Sequence, residues 1–269
     1  MIGHEPGIIS TVRLTRRFDA LVAVNELTVS VSAGTIFGLL GPNGAGKSTL
    51  IKMLTTLLPP TSGTALVAGF DIVSQPREVR RHIGYVSQML SADGELTGYE
   101  NLLISAKLYG LSRADRTERI AQALAFMQLE DAANRLVKHY SGGMIRRLEI
   151  AQSMLHRPQV LFLDEPTVGL DPTAKHSVWQ RITDLRQQFG TSVLMTTHDM
   201  EEADHLCETI AFMHQGRLLA TGSPLELKGA VGAAASLDDV FIHYSGTSIG
   251  EGGSLRDVAQ TRRTARRLE

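Results

Sequence analysis

The chain has 269 residues, 43% of them apolar, which excludes a short unstructured peptide and leaves enough to build a packed core. Lysine and arginine number 27 against 28 aspartate and glutamate, a formal charge of -1, so no global basic field exists to grip nucleic acid, no nucleic-acid partner is expected, and any polyanion must be held locally. The single cysteine, Cys207, excludes an internal disulfide and suits a buried apolar position.

The opening Met1-Ile2-Gly3-His4-Glu5-Pro6 lacks the basic start and apolar run of a signal peptide. Nowhere do about 18 apolar residues follow one another, so the sequence predicts a chain that does not itself cross a membrane. Alternating Leu27, Val29 and Val31 predict a half-buried strand, and the continuous apolar run Ile36-Phe37-Gly38-Leu39-Leu40 predicts a central one. From about Leu96 to Leu155 the pattern turns helical, with Leu102, Leu103, Ala106 and Leu108, then Ile120, Leu124 and Met127, and with Gly110 and Ser112 at a helix boundary. Val160-Leu161-Phe162-Leu163 and Ser192-Val193-Leu194-Met195 are further continuous runs of the kind expected of parallel strands covered on both faces. Between them Asp171-Pro172 starts a helix whose apolar face is Val178, Ile182, Leu185 and Phe189, and Gly190 ends it. Gln215-Gly216 predicts a hairpin turn into Leu218-Leu219-Ala220. Strands separated by helices imply an α/β sheet with right-handed crossovers and a mostly helical insertion. The composition from Ser245 onward shifts to Gly, Ser, Thr and Arg, the signature of a disordered tail.

Chemistry enters at Gly41-Pro42-Asn43-Gly44-Ala45-Gly46-Lys47-Ser48-Thr49, which satisfies GxxxxGK[ST] directly after an apolar strand and before the helical Leu50-Ile51-Lys52-Met53-Leu54. Its glycines let successive backbone N–H groups and a helix N-terminus converge on phosphate oxygens. Lys47 then neutralises the β and γ phosphates of ATP, and the Ser48 hydroxyl ligates Mg²⁺, whose other ligands are phosphate and water. Asp164 and Glu165 follow a strand, at the end where open α/β sheets bind ligands. There Asp164 suits a water-mediated partner of magnesium, and Glu165 can orient and polarise the water that attacks the γ phosphate. His198 closes the strand Val193-Leu194-Met195-Thr196-Thr197 and is expected to hydrogen bond from the same sheet edge.

Tyr140-Ser141-Gly142-Gly143-Met144, read alone, is a serine-capped helix start. Between the phosphate loop and Asp164-Glu165 it resembles the signature of ABC ATPases, and the motif order matches that family across roughly residues 8 to 229. The resemblance implies a P-loop NTPase core with a mostly parallel sheet, an antiparallel β subdomain and an inserted helical subdomain at about 96–155, followed by a short extension at 230–244 and the tail at 245–269. It also implies roles for particular residues. Phe18 would stack on adenine, where tyrosine is commoner. Gln88 would touch magnesium and link the nucleotide to the helical subdomain, and Asp171, in Gly169-Leu170-Asp171, would communicate across a dimer. Two cassettes would pair head to tail, with Ser141, Gly142 and Gly143 of one closing on the nucleotide of the other. Met144 stands where the family usually has glutamine, a departure that leaves the serine and backbone donors intact.

The form Tyr-Ser-Gly-Gly-Met, together with Leu237-Asp238-Asp239-Val240-Phe241, is similar to the daunorubicin-resistance branch of exporters. A single cassette without a spanning segment then implies an integral membrane permease as partner, a second ATPase subunit, and a place at the cytoplasmic face of the membrane. The segment from Gln88 through Glu100 would face the permease. A soluble ABC ATPase of DNA repair or translation would be expected to carry paired cassettes, a long coiled-coil insertion or a basic groove. An ordinary P-loop kinase would leave Ser141-Gly142-Gly143 and His198 unexplained. Arg256, Arg262, Arg263, Arg266 and Arg267 in the tail suit either simple solvation or an anionic membrane surface.

Overall fold

A computed structural model describes residues 7–232 and 234–246. The opening six residues and the stretch 247–269, which holds the five tail arginines, lie outside the described residues. The first elements are antiparallel: β1 (Ile9–Phe18) pairs with β2 (Leu21–Val31) and, on its other side, with a later strand of the same sheet. β3 (Ile36–Leu40) follows and leads through a glycine-rich loop into α1 (Lys47–Leu54). β4 (Ser62–Val67) and β5 (Phe70–Asp71) complete the antiparallel sheet in the order β2-β1-β4-β5. Then come α2 (Pro76–His82), β6 (Ile83–Val86), α3 (Gly98–Leu108), α4 (Arg113–Phe126) and α5 (Gly142–Met154). The chain continues with β7 (Val160–Asp164), α6 (Pro172–Phe189), β8 (Ser192–Thr197) and α7 (Met200–Leu206). It closes with β9 (Thr209–His214), β10 (Arg217–Gly222), α8 (Pro224–Val231) and α9 (Leu237–Ser245).

The larger sheet runs β10-β9-β3-β8-β7-β6, parallel throughout except for β10, which turns back on β9. That turn is Gln215-Gly216, with φ of 47° and 78°, the two positive values a tight hairpin requires. Side chains alternate across the strands, so Leu161, Leu163, Val193 and Met195 face α5, α6 and α7, while Phe162 and Leu194 face α1. All are buried to within 1%. Each such side chain contributes roughly 1.5–3 kcal/mol by leaving water, which is why β3, β7 and β8 read as unbroken apolar runs.

The helical stretch behaves as its pattern predicts, with one exception. Thr97 and Ser112 cap α3 and α4 with their hydroxyls, and Leu102, Ala106, Ile120 and Leu124 turn inward. Leu108, however, is 83% exposed, because it lies on the outward face of α3 with Ile104 one turn earlier, while Ala106 in the same last turn is fully buried. Phe189 similarly ends α6 at 57% exposed, meeting Phe126 edge-on at 5.3 Å, whereas Val178, Ile182 and Leu185 are fully buried. Ser245, expected to begin the tail, is instead the last residue of α9, whose Phe241 packs 5.8 Å from Phe212. Among the described residues, no helix is long and apolar enough to cross a membrane.

Candidate functional site

Parallel register brings four strand ends to one edge. Leu40 is level with Thr197, Asp164 with Thr196, and Val86 with Leu163, so residues following β3, β6, β7 and β8 emerge side by side. This is why residues far apart in sequence meet here.

The loop 41–46 ends at Gly46, which caps α1 with φ 106° and without a side-chain cap. A Cβ there would stand 2.2 Å from the Ala23 carbonyl oxygen, so only glycine brings the loop this close to the antiparallel sheet. The first amides of α1 are thereby left without a side-chain acceptor from their own cap, while Asn43 and Gly44 are exposed and Ser48 and Thr49 half-buried. Lys47 folds back under the loop. Its Nζ donates to the Gly41 carbonyl at 2.7 Å and to that of Pro42 at 3.3 Å, and lies 3.4 Å from Glu165 Oε1. Burial pulls the ammonium below the usual lysine range, and Glu165 and Asp164 oppose that shift.

Glu165 is the junction of the site. It is 6% exposed, and its other oxygen, Oε2, lies 3.3 Å from Gln88 Nε2 and 3.3 Å from His198 Nδ1. Lys47, Gln88 and His198 therefore converge on one carboxylate. Its backbone is left-handed, φ 50°, a conformation that costs a non-glycine residue roughly 1–2 kcal/mol. The N–H is fixed by both the carbonyl and the hydroxyl oxygen of Thr196, at 3.1 and 3.0 Å. Asp164 beside it accepts from Thr196 Oγ1 at 2.6 Å and from Ser48 Oγ at 3.1 Å.

Ser141, Gly142, Gly143 and Asp171 collect elsewhere. Ser141 Oγ caps α5 by accepting from the Met144 N–H at 3.3 Å, and Asp171 Oδ1 caps α6 by accepting from Ala174 at 3.0 Å. A Cβ on Gly143 would stand 2.8 Å from Ala174 Cβ, so the glycine lets the starts of α5 and α6 touch. Ser141, Gly143 and Asp171 line one exposed hollow of about 280 Å³ with Arg147 and Thr173. Phe18 also stands apart, at the end of β1, 40% exposed with the Arg16 guanidinium 4.6 Å over its ring.

Sequence reasoning missed Thr196, Glu202 and the pair Arg146–Glu149. Glu202 is 1% exposed and accepts through Oε1 from Thr167 Oγ1 at 2.7 Å and from Trp179 Nε1 at 2.9 Å. It thus ties α7 and α6 to the loop that follows Glu165. Lys175 and Asp199 form a further ion pair beside it. The one available signal was the density of threonines and acids around His198.

Comparison with known proteins places this geometry in a family. The family model described as ABC transporter matches residues 24–168. The daunorubicin/doxorubicin resistance ATP-binding protein DrrA of Streptomyces peucetius is 48% identical over 225 residues, covering 84% of this chain and 68% of that protein. The Nod factor export ATP-binding protein I of Burkholderia orbicola is 42% identical over 209 residues, covering 78% of this chain and 68% of that protein. A solved ATP binding subunit of an ABC transporter superposes with a TM-score of 0.78 at 30% identity, covering 88% of this chain and 99% of that one.

Proposed function

Because this chain belongs to the ABC transporter family and is an ATP-binding, ATP-hydrolysing subunit of an exporter, we propose that Glu165 is the group that activates water for its reaction. The observation that carries this is the convergence of Lys47, Gln88 and His198 on that single buried carboxylate. ATP phosphates would take the amides of the loop 41–46 and of α1, together with Lys47, Ser48 and Thr49. Lys47 would then exchange its contact with Glu165 for phosphate oxygens, freeing the carboxylate to accept a proton from water, with His198 and Gln88 orienting that water and the γ phosphate. Ser48 and Asp164 present hard oxygen donors 3.1 Å apart, a set that suits Mg²⁺ completed by phosphate and water. When bound, the ion would neutralise charge on the β and γ phosphates, and Gln88 would approach it.

Phe18 is the candidate platform for adenine. The hollow formed by Ser141, Gly143 and Asp171 serves a second copy of the chain: an α5 N-terminus with its serine would cap the partner's γ phosphate, and closure would follow ATP binding. The ATPase domain in this reading spans 8–229, with its helical subdomain at about 96–155. A separate integral membrane permease supplies the path and places the chain at the cytoplasmic face of the membrane. A drug, an antibiotic or a lipid is the substrate class, supported by the resistance and Nod factor export functions in the relatives' names.

Phosphate release by the purified full chain, saturating in ATP with magnesium, is the expected result. Folded protein with no saturable uptake of ATP would overturn the reading.

A further inference from the structure

Arg146 and Glu149, on α5, form an ion pair with side chains only 3% and 2% exposed, Nη1 lying 3.0 Å from Oε2. Burial this deep costs both ions their hydration, and mutual attraction alone offsets it poorly. Their other hydrogen bonds go outside the helix, to the segment after β6. Arg146 Nη1 donates to the Ser87 carbonyl at 2.7 Å, and Nη2 donates to that of Gln88 at 3.0 Å. Glu149 Oε1 accepts from the Ser91 N–H and, at 3.1 Å, from its hydroxyl. The pair therefore grips both ends of residues 87–91 by their backbone.

Two consequences follow from that grip. Between the gripped ends, Met89 and Leu90 stand 82% and 53% exposed. The side chain of Gln88, meanwhile, points back to Glu165 at 3.3 Å. Arg146 also lies five residues into a helix that begins at the Ser141 cap, about 7.5 Å along its axis. One rigid rod thus carries the candidate phosphate-capping serine and the anchor of the Gln88 segment.

We infer that Arg146 and Glu149 are positioning residues for hydrolysis, locking residues 87–91 to α5 so that any shift of α5 or of Met89-Leu90 moves Gln88 against Glu165. This rests on the reading of Glu165 and Gln88 given above. The guanidinium suits this role because its fork reaches two carbonyls and a carboxylate from two separate nitrogens, whereas an ammonium would have to reach all three from one atom.

The test uses three variants of the full chain: Glu149→Gln, Arg146→Lys and the double variant Arg146→Met/Glu149→Leu. Circular dichroism and ATP dissociation constants within twofold of the parent are expected for all three. Glu149→Gln and the double variant should lower kcat at least fivefold with KM changed less than twofold, and Arg146→Lys should fall between them and the parent. An apolar pair of similar volume restores stability where a buried ion pair is only structural. A double variant with the parent's thermal midpoint and still reduced kcat therefore supports positioning, whereas parental kcat in that variant or in folded Glu149→Gln overturns it. Glu165→Gln in the same assay separates the two levels: normal turnover there refutes the underlying site, whatever the other variants do.

Discussion

Lys47 Nζ lies 3.4 Å from Glu165 Oε1, with both side chains 7% exposed or less, so the cation placed for phosphate and the carboxylate placed for water hold each other. In the proposed mechanism, ATP must break that contact to be hydrolysed. On that reading the free subunit keeps the proposed base occupied until a competing anion reaches the loop.

Replacing the base tests this competition. Glu165→Gln removes the counter-ion of Lys47 from the free state, so ATP affinity should rise by up to about tenfold, equivalent to about 1.4 kcal/mol. Turnover should fall on the order of a hundredfold or more through loss of general-base assistance. Calorimetric titration and phosphate release measure the two effects, and a dimer should accumulate with ATP in light scattering. Weaker binding would contradict the competition.

Lys47→Ala should lower ATP affinity roughly a hundredfold, as expected when a charge-assisted contact worth about 3 kcal/mol is lost. Because the lysine is buried at a carboxylate, the thermal midpoint of the free protein should also drop, since Glu165 is left without its cation. Titration with ATP and calorimetric unfolding together report both effects.

Ser141→Arg should abolish hydrolysis while leaving ATP binding within about threefold, because Ser141 sits in the exposed hollow with Asp171, away from the residues that meet at Glu165. Mixing it with Lys47→Ala restores one intact composite site per mixed dimer. Recovered phosphate release in the mixture is expected; none at any ratio would count against a shared site.

Glu202 offers a pH test. Burial raises its pKa above the ordinary value of about 4.5, against hydrogen bonds from Thr167, Thr197 and Trp179. A carboxyl raised in the folded state favours folding while protonated, so its contribution is fully present below its unfolded pKa and is lost as pH rises through the folded one. Glu202→Gln stays neutral and retains one oxygen for both Thr167 and Trp179. Its thermal midpoint should exceed the parent's at about pH 8, and the gain should shrink towards about pH 5.

What was legible in the sequence was local. The loop 41–49, the acids after β7 and the capped helix α6 each depend on contiguous residues or a 3.6-residue period. An apolar pattern does not reveal which of its residues neighbouring elements will cover, and so Leu108 and Phe189 were expected inside and lie outside. The pairing of Arg146 with Gln88, 58 positions away, and of Thr196 with Asp164, 32 away, exists only once the sheet has formed. Both read in sequence as ordinary polar residues.

Trp179 is the sole tryptophan of the chain, and its indole N–H ends on Glu202, the carboxylate that also holds Thr167. The subunit consequently carries a built-in optical reporter: a shift of Thr167 would reach the indole through the oxygen of Glu202 that the two share. With the indole also stacked on His205, native emission offers a way to time the proposed opening and closing without any attached dye.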